Sequence, residues 1–350
     1  ASGAPLPFTL AIEPDFKYRF GLITRTPTDY MNDHPVMGLL VARQGKIRLE
    51  HYRHGRTAQM RFQSMSMAKS VTSLLLGICL DRGLIASLDV EAQQYVPELE
   101  GTMHGAITLR NLINMSSGVT TPHAVCNETI YPAFLSKELD IDSLVAGWTQ
   151  GQVEQGKRWN YNELCPLTIG MVIRRVTGKS MSEFAEEALW QPMGAEGDAT
   201  WLTDSRGAEF NCIGVGARLR DWARLGQLVA QRGVINGRQL VSESWIREIT
   251  SWGPEDQQAL FCKGRHLNRS MHDPITWAGY KALNWHVKPD GTQLRFNGAF
   301  GQNVLIDMPS QTVLVQTCVR DEQDTSWDPE LMAMFQAAIN LRGFDRSYVP

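Results

Sequence analysis

Ser66-Met67-Ala68-Lys69 sets a hydroxyl and a primary amine three residues apart, a spacing that brings both to one face of a helix. A serine hydroxyl is a weak nucleophile until a base takes its proton, and an amine on the same face can reach it. To act so, the lysine must be neutral. Ser70 to Leu80 is almost free of charge, so the sequence predicts a buried amine, and burial depresses a lysine pKa in the required direction. A serine at a helix N-terminus also lies among free backbone N–H groups, which stabilise negative charge developing on a reacting oxygen. The same four residues equally suit a helix cap followed by a solvated lysine, so the choice depends on what else the chain supplies.

Two further segments bear on it. Tyr161-Asn162-Glu163 offers a phenol, which beside a lysine can shuttle protons because each group favours ionisation of the other. Alone it would also suit a boundary tyrosine with its hydroxyl on water. In Phe296-Asn297-Gly298-Ala299-Phe300-Gly301-Gln302, glycines interrupt a strand, which either admits a ligand close to the backbone or marks an ordinary bulge. Other signals fail. Gly178-Lys179-Ser180 has Ile173 where a phosphate loop needs its first glycine, and it ends a helix instead of opening one. His51 and His54 lack the glutamate of a zincin motif, and the Gly-x-Ser-x-Gly elbow of α/β-hydrolases is absent.

Together these segments resemble the serine β-lactamase and penicillin-binding superfamily, in its class C and esterase-like branch. Ser66 to Lys69, with Arg61 to Met65 before it and Ser70 to Leu74 after it, is similar to the nucleophile motif of that superfamily. Leu112 to Gly118 resembles its Leu-Leu-x-Met-Ser-Ser-Gly segment, and Tyr161 precedes Gly170 as its Tyr-x-Asn loop precedes a helix glycine. Val176-Thr177-Gly178 and Gln191-Pro192-Met193-Gly194 are similar to the family's stretch after that glycine, and Phe296 to Gly301 lies where the family has Lys-Thr-Gly. The likeness spans about residues 35 to 340. It implies Ser66 as acylated nucleophile, Lys69 as its base, Tyr161 as proton relay, and the backbone N–H groups of Ser66 and Ala299 as oxyanion hole. It places substrate contacts at Asn162, Glu163, Phe296, Asn297 and Gly298, and it implies no cofactor and no metal.

Two departures stand out: Glu163 occupies the place of the family's asparagine, and Phe296 that of its third-motif lysine. The glycine-rich 297–302 segment is closer to 6-aminohexanoate-dimer hydrolase and carboxylesterase relatives of this branch than to true β-lactamases. If the Glu163 carboxylate points into the pocket it repels carboxylate ligands and could receive an ammonium group; otherwise it faces solvent or pairs with an arginine such as Arg158. The expected activity is hydrolysis of small esters or amides through an acyl-enzyme. The alternatives are a β-lactamase or penicillin-binding, D-peptidase-type protein, or an inactive relative that binds a ligand in the cleft.

The elements that would position these groups are partly legible. Val36 to Tyr52 reads as a hairpin about Gln44-Gly45-Lys46, entering at a sheet edge. Ser66 to Leu80 has apolar residues nearly all round and Gly83 as its stop, which predicts a central helix. Thr108 to Met115 reads as a short helix broken by Ser116-Ser117-Gly118, whereas residues 119 to 160 give weak signals. A helix opening at Pro166 ends at Gly178, Ser180 and Glu183 form a capping box for one running to about Trp190, and Arg218 to Gln231 reads as another. Strands are expected at Ala282 to Val287, Gln293 to Phe296, Gln302 to Asp307 and Thr312 to Cys318, then a helix over Glu330 to Asn340 capped by Asp328. The expected class is α/β (α+β), β-lactamase/transpeptidase-like: an antiparallel sheet built from both termini with flanking helices. Residues 1–80 and 265–350 would form the sheet domain and 81–264 an inserted, mostly helical region, with the active site between them.

Composition narrows the partner. The chain has 350 residues, with 34 Lys plus Arg against 37 Asp plus Glu and a net charge of −3. No block of like charge exists to hold nucleic acid or anionic membrane, which leaves a small-molecule substrate. The longest apolar run, Leu74 to Leu80, is too short to span a bilayer, so a soluble protein is expected, cytoplasmic or exported. Ala1 to Ile12 reads as neither signal peptide nor helix and could be the stub left after a signal was removed. Six cysteines, none closer than 39 residues to the next, are expected as buried thiols.

Overall fold

The computed structural model describes residues 1–12, 15–119, 125–151, 153–251, 279–288, 290–321 and 326–341. The principal sheet takes strands from both ends of the chain: β1 (Thr9–Leu10), β2 (Val36–Arg43), β3 (Lys46–Tyr52), β4 (Gly279–Lys281), β5 (Asn284–His286), β6 (Gln293–Gly298), β7 (Gln302–Asp307) and β8 (Thr312–Cys318). They lie in the order β1-β3-β2-β8-β7-β6-β5-β4. All neighbours are antiparallel except β1, which runs parallel to β3. N- and C-terminal chain meet at β2 and β8, with Val41 opposite Leu314 and Leu40 opposite Val315.

Period-two alternation assigns these side chains to two cores, with a bulge opposite Val41–Ala42 turning Ile47 and Leu49 to opposite faces. Leu39, Val41, Leu49, Leu305 and Leu314 pack with Leu331, Met334 and Phe335 of the closing helix. Leu40, Ala42, Ile47, Val304, Ile306, Val313 and Val315 belong to the larger core on the other face. Both faces are covered, so the central strands read as near-continuous apolar runs instead of alternating ones.

The helices are α1 (Pro27–Asp33), α2 (Ala68–Asp81), α3 (Leu109–Ile113), α4 (Tyr131–Leu135), α5 (Ile141–Gly147), α6 (Leu164–Thr177), α7 (Met181–Ala185), α8 (Leu219–Ala230), α9 (Glu243–Thr250) and α10 (Asp328–Ile339). Helix α8 lies so close to the sheet that a Cβ at Gly226 would meet Val313 Cγ1 at 2.6 Å. Helix α2 is buried from Ala68 to Cys79, as its apolar circumference requires. It packs on α6, whose Gly170 would meet the Asn211 side chain at 2.4 Å if it carried a Cβ.

Several expectations shift. The Val36–Tyr52 hairpin forms but is not the sheet edge, because β1 adds outside β3. The strand expected at Ala282–Val287 forms only over Asn284–His286 (β5); Ala282 and Leu283, both at left-handed φ, are the turn that joins it to β4. Pro166 is the third residue of α6 instead of its first, and α10 starts at Asp328 with Trp327 as cap. The weak 119–160 stretch holds a π-turn over Cys126–Ile130 followed by α4 and α5. Gly178 ends α6 with φ +65° and the Ser180–Glu183 capping box is formed. Cys79, Cys126, Cys165, Cys212 and Cys318 are buried free thiols; Cys262 and the boundary at 264/265 lie outside the described residues. No helix among the described residues is long and apolar enough to cross a membrane.

Candidate active site

Ser66 lies in a single 3-10 turn, Met65–Met67, that leads directly into α2. Met65 has φ +45°, a left-handed conformation that costs a non-glycine residue about 1–3 kcal/mol and persists only where surroundings hold it. Ser64 does the holding. Its N–H donates to the Val215 carbonyl at 2.7 Å, its Oγ accepts from the Val215 N–H at 3.0 Å, and the hydroxyl donates to the Met65 carbonyl at 2.8 Å. From the other side β6 presses on the turn: a Cβ at Gly298 would sit 2.3 Å from the Ser64 carbonyl oxygen. Ala299 follows at once, in a tight turn over Ala299–Gly301 with Phe300 at φ +62°. The glycine at 298 is what lets the Ala299 backbone lie against the nucleophile turn.

Lys69, the second residue of α2, is 1% exposed. Its Nζ donates to Ser66 Oγ at 3.1 Å and to the Cys212 carbonyl at 3.1 Å, and it forms an ion pair with Glu163 Oε2 at 2.6 Å. The ammonium thus sits among oxygens from the nucleophile turn, the Cys212 backbone and the Glu163 carboxylate. Burial pushes the Lys69 pKa down, but the Glu163 carboxylate, with Tyr161 and Cys212 behind it, outweighs burial and leaves the net shift upward. The apolar surroundings expected from the sequence are present, and beside them a buried carboxylate that favours the charged form.

Tyr161 and Glu163 are placed by the start of α6. Asn162 Oδ1 accepts the Cys165 N–H at 2.9 Å, and its Nδ2 donates to the Asn160 carbonyl at 2.8 Å; this caps the helix and fixes the residues on either side of it. The Tyr161 hydroxyl hydrogen-bonds both Ser66 and Lys69, and the Lys69 Nζ stands 4.9 Å from its ring centroid. Burial raises the Tyr161 pKa and Lys69 opposes, with a net upward shift. The ring is wedged among Trp159, Tyr280 and Trp285, at centroid distances of 5.5 to 6.2 Å.

Ser66, Lys69, Tyr161 and Glu163 therefore converge, and Gly298 and Ala299 abut the same turn. Three of the expected substrate contacts are buried side chains with partners inside the protein. Asn162 is buried and spent on the helix cap. Phe296 is fully buried in the larger core, opposite Val304, because the alternation along β6 turns it inward. Glu163 neither faces a pocket nor meets Arg158: one oxygen pairs with Lys69 and the other accepts the Tyr131 hydroxyl at 2.5 Å, so it is not available to a substrate ammonium. Asn297 is half-buried. Missed from sequence were Tyr131, in the stretch of weak signal, the Cys212 carbonyl, for which no side-chain pattern exists, and the aromatic wall. Only Trp159, alternating with Tyr161, hinted at that wall.

The chain also has recognisable relatives among known proteins. The chain is 24% identical over 303 residues to the 6-aminohexanoate-dimer hydrolase of Paenarthrobacter ureafaciens, covering 82% of this chain and 73% of that one. A solved structure of a candidate 6-aminohexanoate-dimer hydrolase from Bacillus anthracis superposes with a TM-score of 0.82 at 22% identity, covering 97% of this chain and 90% of the other. A family VIII carboxylesterase superposes with a TM-score of 0.67 at 17% identity, covering 88% and 95%. The fold is thus β-lactamase/transpeptidase-like, and since the Beta-lactamase family model matches residues 23–339, the chain belongs to that family.

Proposed function

We propose that the protein is a serine hydrolase that cleaves small esters or amides through an acyl-enzyme on Ser66. The observation that carries this reading is the Lys69 Nζ at 3.1 Å from Ser66 Oγ, with the Tyr161 hydroxyl bonded to both: a nucleophile with two proton-handling groups in direct contact. The backbone N–H groups of Ser66 and Ala299 would receive the oxyanion. Esterase and amidase chemistry are both supported by the names of the relatives, a dimer hydrolase and a carboxylesterase.

The division of the chain belongs to the same proposal. Lys69 comes from residues 1–80, and Tyr161 and Glu163 from residues 81–264, so the site lies where a sheet unit (1–80 with 265–350) meets a helical insertion. The test is labelling with a fluorophosphonate, read by intact mass. Wild type should take up one equivalent and Ser66→Ala none, while Ser66→Ala keeps thermal stability within about 1 kcal/mol, since a half-buried hydroxyl carries little folding energy. Equal labelling of both proteins would remove Ser66 from the mechanism.

A further inference from the structure

Glu163 is the departure from the family pattern that the reaction above does not yet use. Glu163 is 2% exposed, and its carboxylate is met from two parts of the chain: Lys69 Nζ of α2 is ion-paired with Oε2 at 2.6 Å, and the Tyr131 hydroxyl of α4 donates to Oε1 at 2.5 Å. A buried carboxylate is retained at such a cost in desolvation only with partners of this quality. Lys69 donates to Ser66 Oγ and the Cys212 carbonyl and is ion-paired with Glu163, and as an ammonium it has no lone pair to take the Ser66 proton. One of its own protons must leave first, and Glu163 Oε2 is in ion-pair contact to receive it.

We propose that Glu163 is a positioning residue that acts through Lys69, as the far end of a Ser66–Lys69–Glu163 proton relay. The proposal rests on the serine-hydrolase reading. In acylation Ser66 Oγ bonds to the substrate carbonyl carbon as its proton passes to Lys69 Nζ and one ammonium proton passes to Glu163 Oε2. The tetrahedral oxyanion then forms beside a charged Lys69 and a neutral Glu163, so the site changes its net charge by nothing. When the intermediate collapses, the bond from carbonyl carbon to leaving group breaks and that group takes the Tyr161 proton. Lys69 reprotonates the phenolate, and Glu163 returns its proton to Lys69. Water repeats the cycle to free the acid.

The groups facing the pair from every neighbouring element are Tyr131 on α4, Cys126 in the π-turn, Cys165 on α6, Cys212 in the segment before Val215, Tyr161 and Tyr280. Burial pushes each of them up, Cys126 to about 12 and Cys165 to about 11. They stay protonated at neutral pH, which leaves the Lys69–Glu163 pair to set the acidic limb of the rate profile. The carboxylate ion-paired with Lys69 is the acceptor the relay needs. In Glu163→Gln the acceptor is gone at every pH, and Ser66 can be activated only after Lys69 has lost a proton to solvent.

The experiment is the pH profile of kcat/KM on a nitrophenyl ester, with fluorophosphonate labelling of each variant. Glu163→Gln should move the acidic limb to higher pH, because Lys69 itself must then lose a proton to solvent before Ser66 can react, and should recover rate in alkali. Glu163→Asp keeps the charge and should leave the limb in place at a lower plateau. Tyr131→Phe removes one donor from the carboxylate, makes it easier to protonate, and should shift the limb upward as well; it decides the matter if Glu163→Gln does not fold. A limb that stays at its wild-type position in Glu163→Gln, or in Tyr131→Phe where Glu163→Gln is unfolded, overturns the relay, as does a Glu163→Asp limb displaced as far as that of Glu163→Gln. If wild type itself is not labelled at Ser66, the hydrolase reading fails and the relay with it. Labelled wild type with an unmoved limb overturns the relay alone.

Discussion

Lys69 shows how a single contact reverses the chemistry expected of a side chain. Burial alone would make it a neutral amine, and the Glu163 carboxylate at 2.6 Å keeps it an ammonium. In the proposed reaction Tyr161, the hydroxyl bonded to both Ser66 and Lys69, gives its proton to the departing group. A bond of that kind is made in full only in the transition state, so Tyr161→Phe should lower kcat by about a hundredfold with little change in KM. Steady-state kinetics on one ester decide this; an effect confined to KM would make Tyr161 a wall of the pocket. The residues that touch Ser66 were legible from the Ser-x-x-Lys spacing and from the tyrosine loop. Glu163 was legible as a departure, but not its partner, because nothing local in a sequence shows that a side chain near position 163 reaches one near 69. Tyr131 could not be found at all, since its role is a contact across 32 residues of chain.

At the scale of elements, two glycines do opposite work. Gly77 on α2 faces the Trp245 indole of α9, where a Cβ would stand 2.2 Å from Cδ1. Gly77→Ala overpacks a helix contact remote from the nucleophile and should lower stability by about 1–3 kcal/mol while leaving kcat of the folded enzyme unchanged. Gly298 faces the Ser64 carbonyl at 2.3 Å, and a methyl group there forces β6 off the nucleophile turn. Gly298→Ala should therefore lower kcat at least about tenfold, because displacing the Ala299 N–H weakens the oxyanion contact. Denaturant melts beside kinetics separate the two; similar kcat values for both variants would contradict the placing of Ala299. Helix α2, the Gly178 stop and β6 to β8 were legible because their periodicity and terminal residues are local. The hairpin turn at Ala282–Leu283 was not: two non-glycine residues at positive φ leave no sequence mark, and tertiary contacts hold them, the Leu283 N–H on the Ile113 carbonyl and the Ala282 N–H on Asn114 Oδ1.

For the whole molecule, the two ends of the chain meet in one sheet, and the site forms where β6 and α2 approach the start of α6. Phe296 is buried where β-lactam-recognising relatives of this superfamily carry a cation, so a substrate carboxylate loses a charge-assisted hydrogen bond there worth about 1.5–3 kcal/mol. A short neutral nitrophenyl ester should therefore have a kcat/KM at least about tenfold above that of a chromogenic cephalosporin; the reverse order would align the protein with β-lactamases. Whichever substrate is better, the central claim is a covalent intermediate on Ser66. Quenching the enzyme in acid during turnover of a nitrophenyl ester, followed by intact-mass and peptide mapping, tests it most directly. The account predicts that the mass of the acyl group appears on the peptide carrying Ser66 in wild type and is absent from Ser66→Ala. Turnover at the wild-type rate by Ser66→Ala, or an acyl group found on another residue, would contradict it.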